Sequence, residues 1–204
     1  MIQMKKDKLK NIFNKKIIVF YAVIFIIALI SGAFFGLILN DKDSLLVLDH
    51  FKEFYSIVKN GNINYVMTLL NTFILNSTYI LIIWILSYFI IGIPIVLLIY
   101  FFKVFVIGFT ISSFVINFKI KGILYSFLYL FPHTIINITI ITLISMVSII
   151  ISLKLLNTII KKKKINLFTI IKKHFLLLII MLLLIFITSA YETFLVPKVF
   201  NLII

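Results

Sequence analysis

The 204 residues are too apolar for a soluble domain, because 63% are hydrophobic and 13% are charged, against roughly 45–50% and about 25% in soluble domains. The net charge of +14 comes from lysines that lie mostly at the ends of apolar runs, so it indicates membrane topology and argues against a nucleic-acid partner. The absence of cysteine excludes disulfides and thiol chemistry. We therefore predict a single all-α, polytopic membrane domain over residues 1–204.

About five spans of ~20 residues fit this length. The first predicted span, 17–39, follows a group of lysines and is longer than a signal peptide core, which indicates an uncleaved anchor with a cytoplasmic N-terminus. Further apolar runs predict spans at 78–102, 104–118, 132–153 and 175–196. If the short third run were a re-entrant loop, the cytoplasmic excess of lysine would vanish. We therefore favour five crossings, with the C-terminus extracytoplasmic.

Two connections between the predicted spans are long. The outer loop, 40–77, carries apolar residues at helical spacing before Asn60-Gly61, which predicts a helix on the outer surface, and a second apolar pattern starts at Tyr65. The cytoplasmic loop, 154–174, is rich in lysine, and we expect it to bind the anionic lipid of the inner leaflet.

Small residues and prolines mark the apolar runs. Gly32 and Gly36 allow close helix approach, which we interpret as packing within the chain, with a homodimer seam as the alternative. Gly92 and Pro94 interrupt the predicted second span and indicate a kink. Pro132 divides a long apolar run, so either an aromatic segment precedes the fourth span or one kinked helix of about 48 Å continues through it.

Three polar residues lie inside the predicted spans. His133 and Asn137 are one helical turn apart, and Glu192 is near the outer end of the fifth span. Buried ionisable groups in a membrane tend to find a partner, so a contact between Glu192 and His133 is expected. We interpret the three as a structural polar contact that holds the fourth and fifth spans together, with proton transfer, substrate binding or partner contact as alternatives. Lys103, between two predicted spans, is interpreted as a lysine that reaches the interface.

The sequence contains no HExxH, GxSxG or Walker motif. Its histidines, at positions 50, 133 and 174, fall on opposite sides of the membrane in the predicted topology. We therefore predict that the protein is not an enzyme and holds no metal or other cofactor.

Several motifs resemble those of the stage II sporulation protein M family, integral membrane proteins of endospore-forming bacteria. The most specific is WILSYFIIGIPIVLLIYFFKVFVIGF, in which order and spacing agree at Gly92, Pro94, Lys103 and Gly108. Others are GAFFG in the first span, FYSIVKNGN in the outer loop, the Pro132-His133 turn, and Glu192 followed five residues later by Pro197. In the broader family the position of Asn137 is often glutamate. This chain has a neutral amide there, which argues against conserved acid chemistry at this position.

The resemblance implies a non-enzymatic scaffold of the cell membrane that recruits and localises peptidoglycan-remodelling enzymes at the sporulation septum and the engulfing mother-cell membrane. The implied partners are stage II sporulation proteins D and P. Resemblance and topology together place the partner contact on the outer loop, with candidates Phe54, Tyr55, Lys59 and Tyr65. The competing hypothesis is a small transporter or channel subunit that uses His133, Asn137 and Glu192. A sporulation or a non-sporulation branch of the family, and a homo-oligomer, are left open.

Overall fold

The computed structural model describes residues 15–39, 49, 53, 56, 63–161 and 167–198. The long described segments are helical and contain no strand. In chain order the helices are α1 (Lys15–Ile38), α2 (Tyr65–Leu86), α3 (Gly92–Phe118), α4 (Ile120–Leu130), α5 (His133–Lys161) and α6 (Leu167–Phe194). All except α4 are long and apolar enough to cross a membrane. The prediction of an all-α protein with five spans is confirmed.

Helix α5 is the centre of the bundle. Half of its most apolar window is buried, against 17–28% in the other four candidate spans. Helices α2, α3 and α6 pack around it, α2 and α6 pack on each other, and α1 packs on α3. The outward faces of the peripheral helices carry exposed apolar side chains, as expected of surfaces that contact lipid.

Helices α1 and α3 approach closely because glycines from both helices lie in the contact. A Cβ added to Gly32 would stand 2.0 Å from the carbonyl oxygen of Phe105, and one on Gly108 would stand 2.1 Å from that of Leu29. At Gly36 the obstacle is a side chain, the Ser112 hydroxyl, at 2.0 Å. These glycines are therefore used for packing within the chain, which leaves no room at them for a homodimer seam.

The bounds predicted for the second and third spans, 78–102 and 104–118, are wrong. Helix α2 ends at Leu86, a short turn follows, and α3 runs from Gly92 to Phe118. The kink expected at Gly92 and Pro94 is instead the start of α3, where proline is tolerated because the first turn has free N–H groups. The turn was missed because its residues are nearly as apolar as the helices beside it.

The connections between the helices are also shorter than predicted. Helix α2 begins at Tyr65, capped by the Asn64 side chain, which accepts a hydrogen bond of 3.1 Å from the Met67 N–H. The outer loop predicted over 40–77 therefore ends before Tyr65. In the same way, α5 and α6 extend into the predicted basic loop, 154–174, because their lysine-bearing ends can continue as helix beyond the hydrocarbon.

Helix α4 is separate from α5. It has 11 residues, about 16 Å at 1.5 Å per residue, which is too short to cross a membrane. It begins directly after Lys119, whose φ of 53° reverses the chain at the end of α3, and it ends before an extended Phe131. Of the two arrangements expected around Pro132, the single kinked helix is thus wrong, and the separate aromatic segment is observed.

Candidate functional site

A cavity of about 240 Å³ lies inside the bundle, between α3 on one side and α2 and α6 on the other, with α5 as its floor and the end of α4 at its rim. We call the end of the bundle that carries α4 the α4 end. Eight of the thirteen lining residues are polar, and they come from five different helices: Asn76, Lys103, Thr110, Tyr129, His133, Thr134, Asn137 and Glu192. Such a concentration of polar side chains among membrane spans is a candidate functional site.

The predicted contact between His133 and Glu192 is present. The His133 Nε2 lies 4.0 Å from the Glu192 Oε2, and the side chains are 5% and 30% exposed, respectively. His133 is placed by the first turn of α5 and Glu192 by the last turn of α6. The His133 Nδ1 is buried and has no hydrogen-bond partner in the described part of the chain. The pair therefore joins two helices and leaves one ring nitrogen unused.

Asn137 lies one turn deeper and has a partner that the sequence did not reveal. The Thr188 hydroxyl donates a hydrogen bond of 2.5 Å to the Asn137 Oδ1, and both residues are buried. This bond also joins α5 to α6. A threonine in an apolar helix normally bonds to its own backbone, so only the tertiary structure identifies Thr188 as part of the site.

Lys103 is the main correction to the predicted site. It lies in the interior of α3, not between two spans, and its Nζ is 3.4 Å from the Asn76 Oδ1 and 3.7 Å from the centroid of the Tyr79 ring. Its charge and that of Glu192 attract each other across the cavity. A cation–π contact and an amide oxygen are the kind of partners that make a charge tolerable within a span.

An aromatic cluster closes the α4 end beside the cavity. Phe114 and Val196 are buried there and pack against four further side chains: Ile63, Tyr125, Tyr129 and Tyr191. Burial, together with the nearby charge of Glu192, raises the pKa of Tyr129 in α4. The cluster connects the cavity to the residues that lead into α2.

A second polar cluster, at the opposite end of the bundle, secures the α2–α3 turn. The His174 Nδ1 lies 3.0 Å from the Tyr88 hydroxyl and 3.3 Å from the Ser87 Oγ. The Ser152 hydroxyl of α5 donates to the Ser87 carbonyl at 2.8 Å. Burial raises the pKa of Tyr88, which lies in the turn. His174 and His133 are thus at opposite ends of the bundle, as the sequence predicted, and each is held by different partners.

Of the candidate partner contacts, Phe54, Tyr55 and Lys59 lie outside the described residues. Tyr65 is the first residue of α2, is 39% exposed, and stacks on Phe194 of α6 with a centroid distance of 5.5 Å. Within the described ranges no group of three or more His, Cys, Asp or Glu side chains is arranged to hold a metal ion.

Fold and site define the class of protein: a polytopic helical membrane protein with a polar site between its spans. A comparison with protein families narrows this further, because residues 21–197 match the family described as Stage II sporulation protein M. The chain therefore belongs to that family. The match covers α1 from Tyr21 onwards and every later helix. No curated protein and no solved structure matches the chain.

Membership makes this a sporulation-related, multi-pass membrane protein. The family is not a known enzyme family.

Proposed function

We propose that the protein is a non-enzymatic scaffold of the engulfment machinery, which recruits peptidoglycan-remodelling enzymes and localises them at the septal and engulfing mother-cell membranes. The observation that carries the proposal is the family match over residues 21–197. The proposed partners are stage II sporulation proteins D and P. Their substrate lies outside the membrane, so the contact belongs on the extracytoplasmic face.

The distribution of lysine supports an orientation for this face. Counted along the sequence, residues 1–16 and 154–173 carry 13 lysines, residues 39–64, 119–121 and 195–204 carry six, and Lys103 lies inside α3. Because lysine near span ends favours the cytoplasmic side, we assign the α2–α3 turn to the cytoplasm. The N-terminus is then cytoplasmic, and the α4 end and the C-terminus are extracytoplasmic.

The α4 end also offers a rigid base for a partner contact. Ile63 packs on the aromatic cluster, and Tyr65 stacks on Phe194, so the last residues before α2 are fixed to α4 and α6. Rigid aromatic anchors lose little entropy on binding and are enriched among residues that dominate interface energies. We place the partner contact on this base together with the outer loop and its candidates Phe54 and Tyr55.

The experiment is co-purification from sporulating cells with a mildly solubilised, tagged chain. Recovery of the two peptidoglycan-remodelling partners is measured for the wild type, a Phe54→Ala/Tyr55→Ala variant and a Tyr65→Ala variant. Loss of an interface anchor worth ~2 kcal/mol should reduce recovery by at least about tenfold. The matched control is Phe168→Ala, an exposed aromatic residue at the start of α6, at the opposite end of the bundle.

Insertion is checked in every variant by accessibility of cysteines introduced at each end. Undiminished recovery from correctly inserted outer-face variants would contradict the proposed contact surface. Failure of the wild type itself to recover either enzyme would contradict the scaffold function.

One observation favours a second candidate function, a small transporter or channel subunit. The sequence showed few polar residues in the second and third spans, yet α2 contributes Asn76 and α3 contributes Lys103 to the cavity. The Glu192→Gln variant separates the two functions. If the protein conducts ions, proteoliposomes containing a pH-sensitive dye should lose proton flux with this variant although the protein remains folded. If it is a scaffold, the variant should alter stability or assembly, and the wild type should show no flux.

A further inference from the structure

The cavity holds two opposite charges that do not meet. Lys103 and Glu192 both line it and attract each other across it. In the described part of the chain, however, the ion pair of Glu192 within 4.0 Å is with His133 and not with Lys103. A charge placed among membrane spans is costly unless it is paired and hydrogen-bonded. The separation therefore favours a bound group that bridges the two charges.

The hydrogen-bonding capacity around the cavity is larger than the described side chains use. The Lys103 ammonium has three donors, and one of them reaches Asn76 at 3.4 Å. His133 is 4% exposed, and its Nδ1 has no partner in the described ranges. The 240 Å³ volume equals that of about eight water molecules at ~30 Å³ each, so a polar molecule larger than a single bridging water fits.

The cavity opens sideways into the bilayer. Val106, one turn from Lys103 on α3, lines the cavity and is 54% exposed, which for an apolar residue in a span means contact with lipid. Ile107 and Leu130 add further apolar surface to the lining. An opening of this kind admits a molecule that is already in the membrane.

The two charges also lie at different depths. Glu192 is two residues from the end of α6, about 3 Å at 1.5 Å per residue, whereas Lys103 is 15 residues from the end of α3, about 22 Å on the same scale. The lysine stem can shorten this difference by reaching towards the α4 end. From the α4 end inwards, the carboxylate thus comes before the ammonium, and the exposed Val106 lies one turn from Lys103 on the side of the α4 end.

An aminophospholipid carries its two charges in the complementary order, with its ammonium outermost and its phosphate beneath, and its acyl chains can leave the cavity past Val106. We infer that the cavity between α3 and α6 binds the headgroup of an aminophospholipid, with the ammonium at Glu192 and the phosphate at Lys103. The His133 ring supplies a further polar contact beside the ammonium site. This inference does not depend on the scaffold function, because it concerns only the bundle and its lipid.

The test is native mass spectrometry of the full chain released from detergent micelles that contain equal amounts of phosphatidylethanolamine and phosphatidylglycerol. We expect the wild type to retain one phosphatidylethanolamine with about tenfold preference, since a charge-assisted hydrogen bond of ~1.5–3 kcal/mol forms between Glu192 and the ammonium, which phosphatidylglycerol lacks. Glu192→Gln should abolish the preference, because only phosphatidylethanolamine has an ammonium, and Lys103→Met should lower the retention of both lipids, because both have the phosphate. Lys121→Met, an exposed lysine at the α4 end, is the matched control and should keep it.

Two charge-preserving variants, Lys103→Arg and Glu192→Asp, guard against misfolding, because they should retain the lipid. Equal retention of both lipids by the wild type would overturn the inference, as would undiminished preference in Glu192→Gln or undiminished lipid retention in Lys103→Met. A third arm adds soluble phosphoethanolamine. Displacement of the lipid at equimolar phosphoethanolamine would show that the headgroup enters from water, and it would overturn the assignment to a membrane lipid.

Discussion

The glycine contact between α1 and α3 allows a sharp prediction, because the two glycines of α1 face different obstacles. At Gly32 an added Cβ meets the backbone carbonyl of Phe105 at 2.0 Å, and at Gly36 it meets the hydroxyl of Ser112 at 2.0 Å. A carbonyl within a helix can move only with the helix, whereas a serine hydroxyl can rotate away. Gly32→Ala should therefore destabilise the protein more than Gly36→Ala.

The magnitude follows from the distance. Restoring an ordinary contact of 3.4 Å at Gly32 requires α1 and α3 to separate by about 1.4 Å, and a gap of even 0.5–1 Å forfeits roughly a quarter to a half of each dispersion contact along the seam. Overpacking of this kind typically costs 1–3 kcal/mol, so we expect about 2–3 kcal/mol for Gly32→Ala and about 1 kcal/mol or less for Gly36→Ala.

The assay is equilibrium unfolding in mixed detergent micelles, with the free energy of unfolding measured for each variant. Adding Ser112→Ala to Gly36→Ala should recover part of the loss, because it removes the atom that the new Cβ meets. Leu37→Ala, on the exposed face of α1, serves as the control and should change little. Equal losses for Gly32→Ala and Gly36→Ala would refute the reasoning from backbone and side-chain obstacles.

Further predictions concern the polar contacts, each measured as the free energy of unfolding in the same micelles. Lys103→Met and Glu192→Gln should each destabilise the protein, because each leaves one charge unbalanced. The double variant should lose less stability than the sum of the two single losses. An additive loss would contradict electrostatic coupling between the two residues. Asn137→Leu alone should cost ~0.5–1.5 kcal/mol by removing the hydrogen bond between α5 and α6, since the Thr188 hydroxyl keeps the Ile185 carbonyl as an acceptor, and adding Thr188→Val should add less than its own separate loss. Ser152→Ala should cost ~1 kcal/mol by removing a bond to the α2–α3 turn. No effect from this last change would show that the turn is held by other contacts.

Hydropathy predicted the number of spans because it indicates whether a segment is suited to lipid or to water, and five segments are apolar enough for lipid. It misplaced two boundaries for the same reason. Lys103 looked like the end of a span because sequence distance does not show that Asn76 and Tyr79 meet it from α2. The α2–α3 turn was missed because most of its residues are apolar, and Gly92 and Pro94, which mark the start of α3, were interpreted as a kink within one span.

The candidate site was predictable only in part. His133 and Asn137 are one helical turn apart, so their common face follows from the sequence, and a membrane-buried Glu192 has few possible partners. Lys103 could not be added, because it belongs to a different helix and its neighbours are fixed by how the helices pack. The same holds for Thr188, which is indistinguishable in sequence from a threonine bonded to its own helix.

The position of α5 explains how an apolar bundle tolerates two polar sites. At one end of α5 the buried residues His133 and Asn137 contact α6, and at the other end Ser148 and Ser152 donate to carbonyls of α2 and the α2–α3 turn. A helix at the perimeter would turn part of such a polar face to lipid, where no partner exists. Because α5 is enclosed by α2, α3 and α6, these four side chains each find a partner on a neighbouring element. Enclosure of one helix thus lets the bundle carry charge and hydrogen-bonding groups at the α4 end without losing its fit to the membrane.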